Sequence, residues 1–466
     1  MYIWNKDSLS KALGLAINKQ INTTHVEFDS REIKGGELFF ALTGGATDGH
    51  LYVKDALLKG AAAAIVSHRP DGVEDDKLII VEDTFEALLK LAKYKRDNSK
   101  AKFIGITGSV GKTSTKNALF TALNACGKSF FTRGNFNNHL GLPINLASMP
   151  DDIKYAVIEM GMNHAGEISK LTSMARPDIA IITNIEAAHI GNLGSMEAIA
   201  DAKSEIFEGV QANGTAILNI DSPWYERMRA AVLKRNIQNI YTFTKKNNTA
   251  DAKLLKTKHH GTFMEADFDI MGQNISVKTG ITGEHQAINI SIALLVTKLL
   301  GEDIKQAALA LADLKPENGR GLPIHLKLHS GKQITVVNDS YNASVPAVIA
   351  AFKNISNIAG KRKIAILSNM NELGDFTQEL HESLAEPVLE SSLSIVLTVG
   401  DYMRFLHCKI QNNIAAVHFN NLEELKARIY DYLEDGDVVL FKGSKGTKLY
   451  LFVEEFINQN NKENAI

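Results

Sequence analysis

The stretch Phe103-Ile-Gly-Ile-Thr-Gly-Ser-Val-Gly-Lys-Thr-Ser-Thr-Lys116 decides how the rest of this 466-residue chain is read. A β-rich apolar run passes through Gly105, Gly108 and Gly111 into a segment that can be helical from Lys112 to about Cys126. Strand, glycine-rich loop and helix in this order hold a phosphate. The glycines let backbone N–H groups approach the anion, and the helix N-terminus adds a favourable dipole. Lys112 can reach the terminal phosphates of a nucleotide, and the Thr113 hydroxyl can ligate Mg2+. The position five before Gly111 is Ile106, so the loop is a variant of the common pattern. A glycine-rich turn is the plain alternative. Gly-Lys-Thr set between an apolar strand and a helix favours a nucleoside triphosphate site.

The length suggests about three domains, and 45% hydrophobic with 22% charged residues suits folded, soluble cores rather than disorder. A net charge of -2, spread along the chain, gives no basic face for nucleic acid and no polybasic membrane patch. Cys126 and Cys408 are the only cysteines, in no metal-binding or redox spacing, which fits a reducing compartment. The start, Met-Tyr-Ile-Trp-Asn-Lys-Asp, lacks the marks of a signal peptide, and no apolar run approaches the roughly 18 to 20 residues needed to span a bilayer. The chain reads as cytoplasmic, with no membrane insertion and no nucleic-acid partner.

The expected fold is α/β in three domains: a small α/β domain at 1–98, a central P-loop ATPase-like domain with a parallel sheet at 99–314, and a Rossmann-like domain at 315–466. In the first, Asp29-Ser30-Arg31 reads by itself as a turn with a surface ion pair, although a hydroxyl beside a guanidinium also suits a nucleotide. In the second, Asn135, Asn137, Asn138 and His139, four amide or imidazole side chains, crowd a loop between Gly134 and Gly141-Leu-Pro143, more than a turn requires. Tyr155 to Glu159 is an apolar strand ending on a carboxylate, which is where a parallel sheet presents a Mg2+ ligand. Asp178 to Thr183 is another strand, leading to His189. Ser195 to Phe207 reads as an amphipathic helix with Ile199, Ala202, Ile206 and Phe207 toward the core; Asp201, Lys203 and Glu205 read by default as solvated, and spacing alone does not argue otherwise. Two further strands, Ala216 to Ile220 and Gly261 to Asp267, precede a helix after Gly283.

The linker Lys315 to Pro323 carries Pro and Gly at both ends and marks the boundary to the third domain. From Gln333, strands and helices alternate, but the first strand runs into Asp339-Ser-Tyr-Asn-Ala343 rather than Gly-x-Gly-x-x-Gly, which disfavours a dinucleotide. Asn369 to Asp375 and Lys442 to Thr447 lie just beyond later strand ends, on the edge that faces ligands in such sheets.

Together these segments resemble the Mur ligase family, ATP-dependent amide-forming enzymes of peptidoglycan assembly. The resemblance rests on the Gly105 to Thr113 loop, Asn135-Phe-Asn-Asn138 with Gly141 and Pro143, Glu159, Thr183-Asn184 with His189, Ala202-Lys-Ser-Glu205, His285 with Asn289, Gly319-Arg320 and Asp339-Ser-Tyr-Asn342. It implies that Gly108, Ser109, Val110, Gly111, Lys112, Thr113 and Ser114 hold ATP phosphates, and that Asn289, Arg320, Asp339 and Tyr341 surround adenine, ribose and phosphate. Thr113, Glu159, His189 and Lys203, the last as a carbamate, would hold Mg2+; Lys112, Glu159, His189 and Lys203 would be the catalytic set. Ser30, Arg31, Asp48 and His50 would receive the uridine nucleotide of the substrate, and Asn135, Asn137, Asn138, Asn342, Asn371 and Glu372 the remaining substrate groups. Asn369-Met-Asn-Glu-Leu-Gly374 is similar to the family's fourth-step members. That implies UDP-N-acetylmuramoyl-tripeptide and D-alanyl-D-alanine as substrates; a monomer is expected separately, although the sequence does not decide the oligomeric state. Third-step ligation of a diamino acid and a catalytically silent nucleotide-binding scaffold stand as the alternatives. Glu186, and the Pro346 displaced by one position, depart from the family pattern.

Overall fold

The computed structural model describes residues 2–45, 47–246, 249–260, 263–315 and 319–461. Its amino-terminal sheet is four short parallel strands in sequence order, Val26–Glu27, Leu38–Phe40, Ala63–Val66 and Leu78–Ile80. The helix Thr84–Asn98 starts where the Asp83 carboxylate accepts the N–H groups of Phe85 and Glu86, which would otherwise lack partners. Its apolar face, Ala87, Leu88 and Leu91, packs on Leu38 and Phe40 together with Ile144 and Ala147 of the next domain, so the two domains share a core.

The central sheet has nine strands, in the spatial order Gln273–Thr279, Met264–Ile270, Ala252–His259, Asn239–Thr244, Thr215–Asn219, Ile179–Ile182, Lys102–Thr107, Tyr155–Glu159 and Ser129–Phe131. From Ala252–His259 onward neighbours are parallel, and the first two strands add an antiparallel meander. Lys102–Thr107 lies inside the sheet, and its buried Phe103, Ile104 and Ile106 follow from helices covering both faces. Because Lys102–Thr107, Tyr155–Glu159 and Ile179–Ile182 are parallel neighbours, their carboxyl ends open on one edge. The glycine loop, Glu159 and the segment after Thr183 are therefore brought together by topology alone.

The carboxy-terminal sheet runs Leu322–Lys327, Gln333–Asp339, Val438–Lys442, Lys363–Ser368, Ile395–Val399, Ala415–Phe419, parallel except for the first strand. Its strand ends present Asp339 and Lys442 side by side.

The structure holds more strands than the sequence suggests. Thr215–Asn219 and Met264–Ile270 take the places of the two expected before Gly283, while Asn239–Thr244, Ala252–His259 and Gln273–Thr279 are additional. The last two are half-exposed surface strands on either side of Met264–Ile270, and the hairpin joining Met264–Ile270 to Gln273–Thr279 closes through Met271 and Gly272, both at positive φ (49° and 80°), without an Asn-Gly signal. Leu322–Lys327 begins inside the expected linker, of which 316–318 lie outside the described residues, as do Gly261 and Thr262 of the expected strand. Helix Met403–Ile410 and strand Ala415–Phe419 are likewise additional. Among the described residues no helix is long and apolar enough to cross a membrane.

Candidate active site

The glycine loop is held open by its own conformation and by the neighbouring strand end. Gly108 and Gly111 have φ of 149° and 85°, and a Cβ at 108 would lie 1.9 Å from Thr183 Oγ1, so only glycine fits there. Thr183 Oγ1 donates to the Val110 carbonyl (2.6 Å), and the Ser109 N–H donates to Asn184 O (2.8 Å). The Lys112 ammonium is held by the carbonyls of Gly108 (2.6 Å) and Ser109 (3.3 Å). Burial and, less strongly, Arg320 lower its pKa, while Glu159 opposes them. Thr113 Oγ1 accepts a hydrogen bond from Arg320 Nη2 (3.0 Å), and Thr115 Oγ1 donates to Asn289 Oδ1 (3.1 Å). Glu186 joins the scaffold of the loop: its N–H donates to Ser109 Oγ (2.9 Å), its carbonyl accepts from the same hydroxyl (2.9 Å), and burial raises its carboxyl pKa.

Ser109 to Ser114 and Glu159, His189, Lys203, Asn289, Arg320, Asp339 and Tyr341 line one cavity of about 1780 Å3 between the central and carboxy-terminal domains. Gly108 lies behind the wall. Glu159 is 2% exposed; its Oε1 accepts from Asn137 Nδ2 (2.8 Å), while Oε2 is buried without a hydrogen bond and has the Lys116 ammonium at 3.5 Å. Lys116 stands one helical turn beyond Lys112, an i,i+4 relation present in the sequence but not singled out.

Lys203 corrects the helix reading. Helix Met196–Ser204 is packed around this residue, which is 1% exposed rather than on a solvated face. Asp201 does stay outside, paired with Arg227 (2.6 Å), and Glu205 accepts the N–H groups of Gly166 (2.7 Å) and Ser169 (3.1 Å). Among the described residues no carboxylate or hydrogen-bond acceptor reaches Lys203 Nζ. Burial first and the nearby Lys112 second hold its pKa well below the lysine range. A buried neutral amine can take up CO2 as a carbamate, which turns an unpaired base into an anionic oxygen donor. With the orphaned Glu159 Oε2, the Thr113 hydroxyl and the His189 imidazole, the cleft then offers a hard-cation donor set that fits Mg2+.

From the other side, the Arg320 guanidinium lies 4.6 Å and the Lys445 ammonium 5.6 Å from the centre of the Tyr341 ring. Lys442, missed in the sequence although its segment was noted, is 3% exposed, pairs with Asp339 Oδ2 (3.0 Å) and donates to Asn342 O (2.6 Å). Burial raises the Asp339 pKa against the opposing pull of Lys442. Asn135, Asn137, Asn138, Asn342, Asn371 and Glu372 also line the cavity; the Asn138 carboxamide accepts the Gly141 N–H (2.8 Å) and so shapes its loop. The Glu372 carboxylate lies in close contact with His189 Nδ1, which lowers the Glu372 pKa.

Ser30, Arg31, Asp48 and His50 are not in this cavity. They sit on the amino-terminal domain, with Arg31 exposed and forked onto Asp29 (2.9 and 2.6 Å). His50 is buried, its Nδ1 against Asp48 Oδ1 (2.6 Å) and its Nε2 accepting the Ser67 N–H (2.9 Å). Both ring nitrogens are thus taken up by the domain's own turn, and His50 supports that turn instead of offering a free polar edge.

A phosphate loop, a buried carboxylate beside it and an unpaired buried lysine, facing a second α/β domain across a cleft, define a nucleotide-using enzyme. The chain belongs to the Mur ligase family: residues 22–96 match the Mur ligase family catalytic domain, 106–297 the Mur ligase middle domain, and 326–445 the Mur ligase glutamate ligase domain. It is 42% identical over 97% of its length and 100% of the relative to the UDP-N-acetylmuramoyl-tripeptide–D-alanyl-D-alanine ligase of Rickettsia prowazekii (strain Madrid E). The crystal structure of MurF from Acinetobacter baumannii matches with a TM-score of 0.82 at 26% identity, covering 98% of this chain and 99% of that one. MurF ligase from Thermotoga maritima in complex with ADP gives 0.77 at 28% identity, covering 95% and 99%.

Proposed function

We propose that this chain joins D-alanyl-D-alanine to UDP-N-acetylmuramoyl-tripeptide at the expense of ATP, a carbon–nitrogen ligation in cytoplasmic peptidoglycan precursor synthesis. The observation that carries the reading is the convergence of Lys112, Glu159, His189, Lys203, Arg320 and Asp339 from two domains on one cleft. The names of its relatives support the choice of substrates.

A carboxylate does not acylate an amine because oxide would have to leave. The tripeptide carboxylate therefore attacks the γ-phosphorus of ATP, ADP leaves, and the amine of D-alanyl-D-alanine displaces phosphate from the acyl phosphate. Lys112 and the loop N–H groups, with Arg320 from across the cleft, stabilise charge developing on the phosphoryl group. Asn289, Asp339 and Tyr341 hold the nucleoside, and Ser109 to Ser114 its phosphates. Mg2+, when bound, offsets repulsion between carboxylate and phosphate; Thr113, Glu159, His189 and carbamylated Lys203 would hold it. Asn135, Asn137, Asn138, Asn342, Asn371 and Glu372 orient the peptide groups, and Ser30, Arg31 and Asp48, braced by His50, receive the uridine nucleotide. Closure of the carboxy-terminal domain keeps water from the acyl phosphate. Domain boundaries at 98/99 and 314/315 and a monomeric state belong to the same proposal.

Phosphate release is measured with ATP, UDP-N-acetylmuramoyl-tripeptide and D-alanyl-D-alanine, omitting each in turn and replacing the dipeptide by diamino acids. Release that needs all three supports the assignment. In a parallel assay with UDP-N-acetylmuramoyl-dipeptide and a diamino acid in place of the two substrates, phosphate release instead returns the third-step reading, and nucleotide binding without turnover in either assay returns the scaffold.

A further inference from the structure

We propose that Glu372 of the carboxy-terminal domain is a positioning residue for His189, so that the histidine of the central domain is set for metal only when the two domains are docked. The inference rests on the ligase reading and deepens its metal site. His189 and Glu372 are separated by 183 positions in the sequence, yet they meet across the domain boundary, each in the left-handed region with φ of 62° and 64°. Positive φ is uncommon for non-glycine residues, and here two of them face each other across the boundary.

The backbones around the pair are clasped as well. The Gly191 N–H donates to the Glu372 carbonyl (3.0 Å), and a Cβ on Gly191 would lie 2.4 Å from Gly374 N and 2.8 Å from Leu373 C. Gly374, with φ of 54°, would in turn drive a Cβ to 2.8 Å from Gly191 Cα. Two glycines thus let the chains touch, and the contact brings the carboxylate to Nδ1.

The support behind Glu372 is rigid. The Met370 N–H donates to Nε2 of the buried His381 (3.1 Å), and the Asn371 N–H donates to Ser444 Oγ (3.0 Å). A carboxylate against one imidazole nitrogen favours the proton there and leaves the lone pair on the other. For His189 that other nitrogen is Nε2, and the residue lines the cleft that holds Glu159 and Lys203.

Mn2+ binding to the full-length protein with a non-hydrolysable ATP analogue tests this by electron paramagnetic resonance, a readout independent of turnover. Glu372→Gly removes the carboxylate while suiting the positive φ, so the variant keeps its fold; Glu372→Gln retains a neutral acceptor. Glu372→Gly is expected to weaken Mn2+ binding about tenfold and Glu372→Gln by less, and the Glu372→Gly effect should vanish in a His189→Ala background. Unchanged Mn2+ affinity, or a loss that persists without His189, overturns the proposal; a rise confined to the KM for D-alanyl-D-alanine overturns it too, leaving Glu372 only its substrate-orienting role. If the wild-type chain binds Mn2+ but never releases phosphate with both substrates, the ligase reading fails separately.

Discussion

Lys95 and Lys203 are both helix lysines withdrawn from water, 3% and 1% exposed, and they are treated in opposite ways. Lys95 lies at the seam between the amino-terminal and central domains, where its ammonium donates to Asp151 (2.6 Å) and Ile3 O (2.8 Å) and stands over the Trp4 ring (4.8 Å). The seam around it is equally satisfied: Trp4 Nε1 donates to Ala147 O (2.7 Å), and Arg96 Nη2 to Arg176 O (2.7 Å). Lys203, at the cleft between the central and carboxy-terminal domains, has no such partner among the described residues, and Glu159 Oε2 has no hydrogen bond, only the Lys116 ammonium at 3.5 Å. Polar groups that are answered hold domains together, and polar groups left without a hydrogen bond next to a phosphate loop await ligands. The first interface is a fixed joint and the second a working one.

The sharpest way to break this contrast is to replace each lysine by methionine. Lys203→Met should reduce ligation by about three orders of magnitude with the melting temperature unchanged or raised, because a buried unpaired amine is removed. Lys203→Ala should regain part of its rate with a short added carboxylic acid, whose carboxylate stands in for the carbamate. Lys95→Met should do the reverse, keeping the rate while calorimetry shows a loss of roughly 2 kcal/mol from two broken hydrogen bonds. A stable, active Lys203→Met protein would erase the distinction. Next in size, Glu159→Gln should lower kcat about a hundredfold in steady-state assays, since the amide keeps the shape of the site but not its charge.

Smaller effects sharpen the comparison at its edges. Arg31→Ala should raise the KM for the UDP substrate about tenfold at unchanged kcat, since Arg31 lies outside the cleft; a kcat effect would place it within reach of the chemistry. His381 supplies a pH test of the working interface. Burial lowers its pKa below 6.5, so between that pKa and 6.5 the unfolded chain binds a proton that the folded one refuses. Stability should therefore fall as pH drops through this window, as protonation of Nε2 breaks its bond from Met370 N–H. His381→Gln should flatten that slope in melting curves from pH 7.5 to 5 without abolishing it, because burial also lowers the pKa of His285, to about 4, and those of His407 and His418.

The phosphate loop and its helix were legible because glycine spacing and an apolar strand are local signals, and Glu159 because it ends a run of buried residues. Lys203 was not legible in its helix: spacing shows which residues share a face, not that a second element will cover it, and only the family resemblance singled it out. The meander from Ala252 to Thr279 was hidden by lysine-bearing, half-exposed strands and a Met-Gly turn. Lys442 and the His189–Glu372 contact are made by tertiary approach, for which no local pattern exists.

The central claim is that the cleft activates a carboxylate by phosphorylating it. Tripeptide substrate labelled with 18O in its terminal carboxylate tests this by mass spectrometry of the released phosphate. The account predicts one carboxylate-derived 18O in the phosphate for each amide bond formed. Phosphate released without the label during ligation would contradict it.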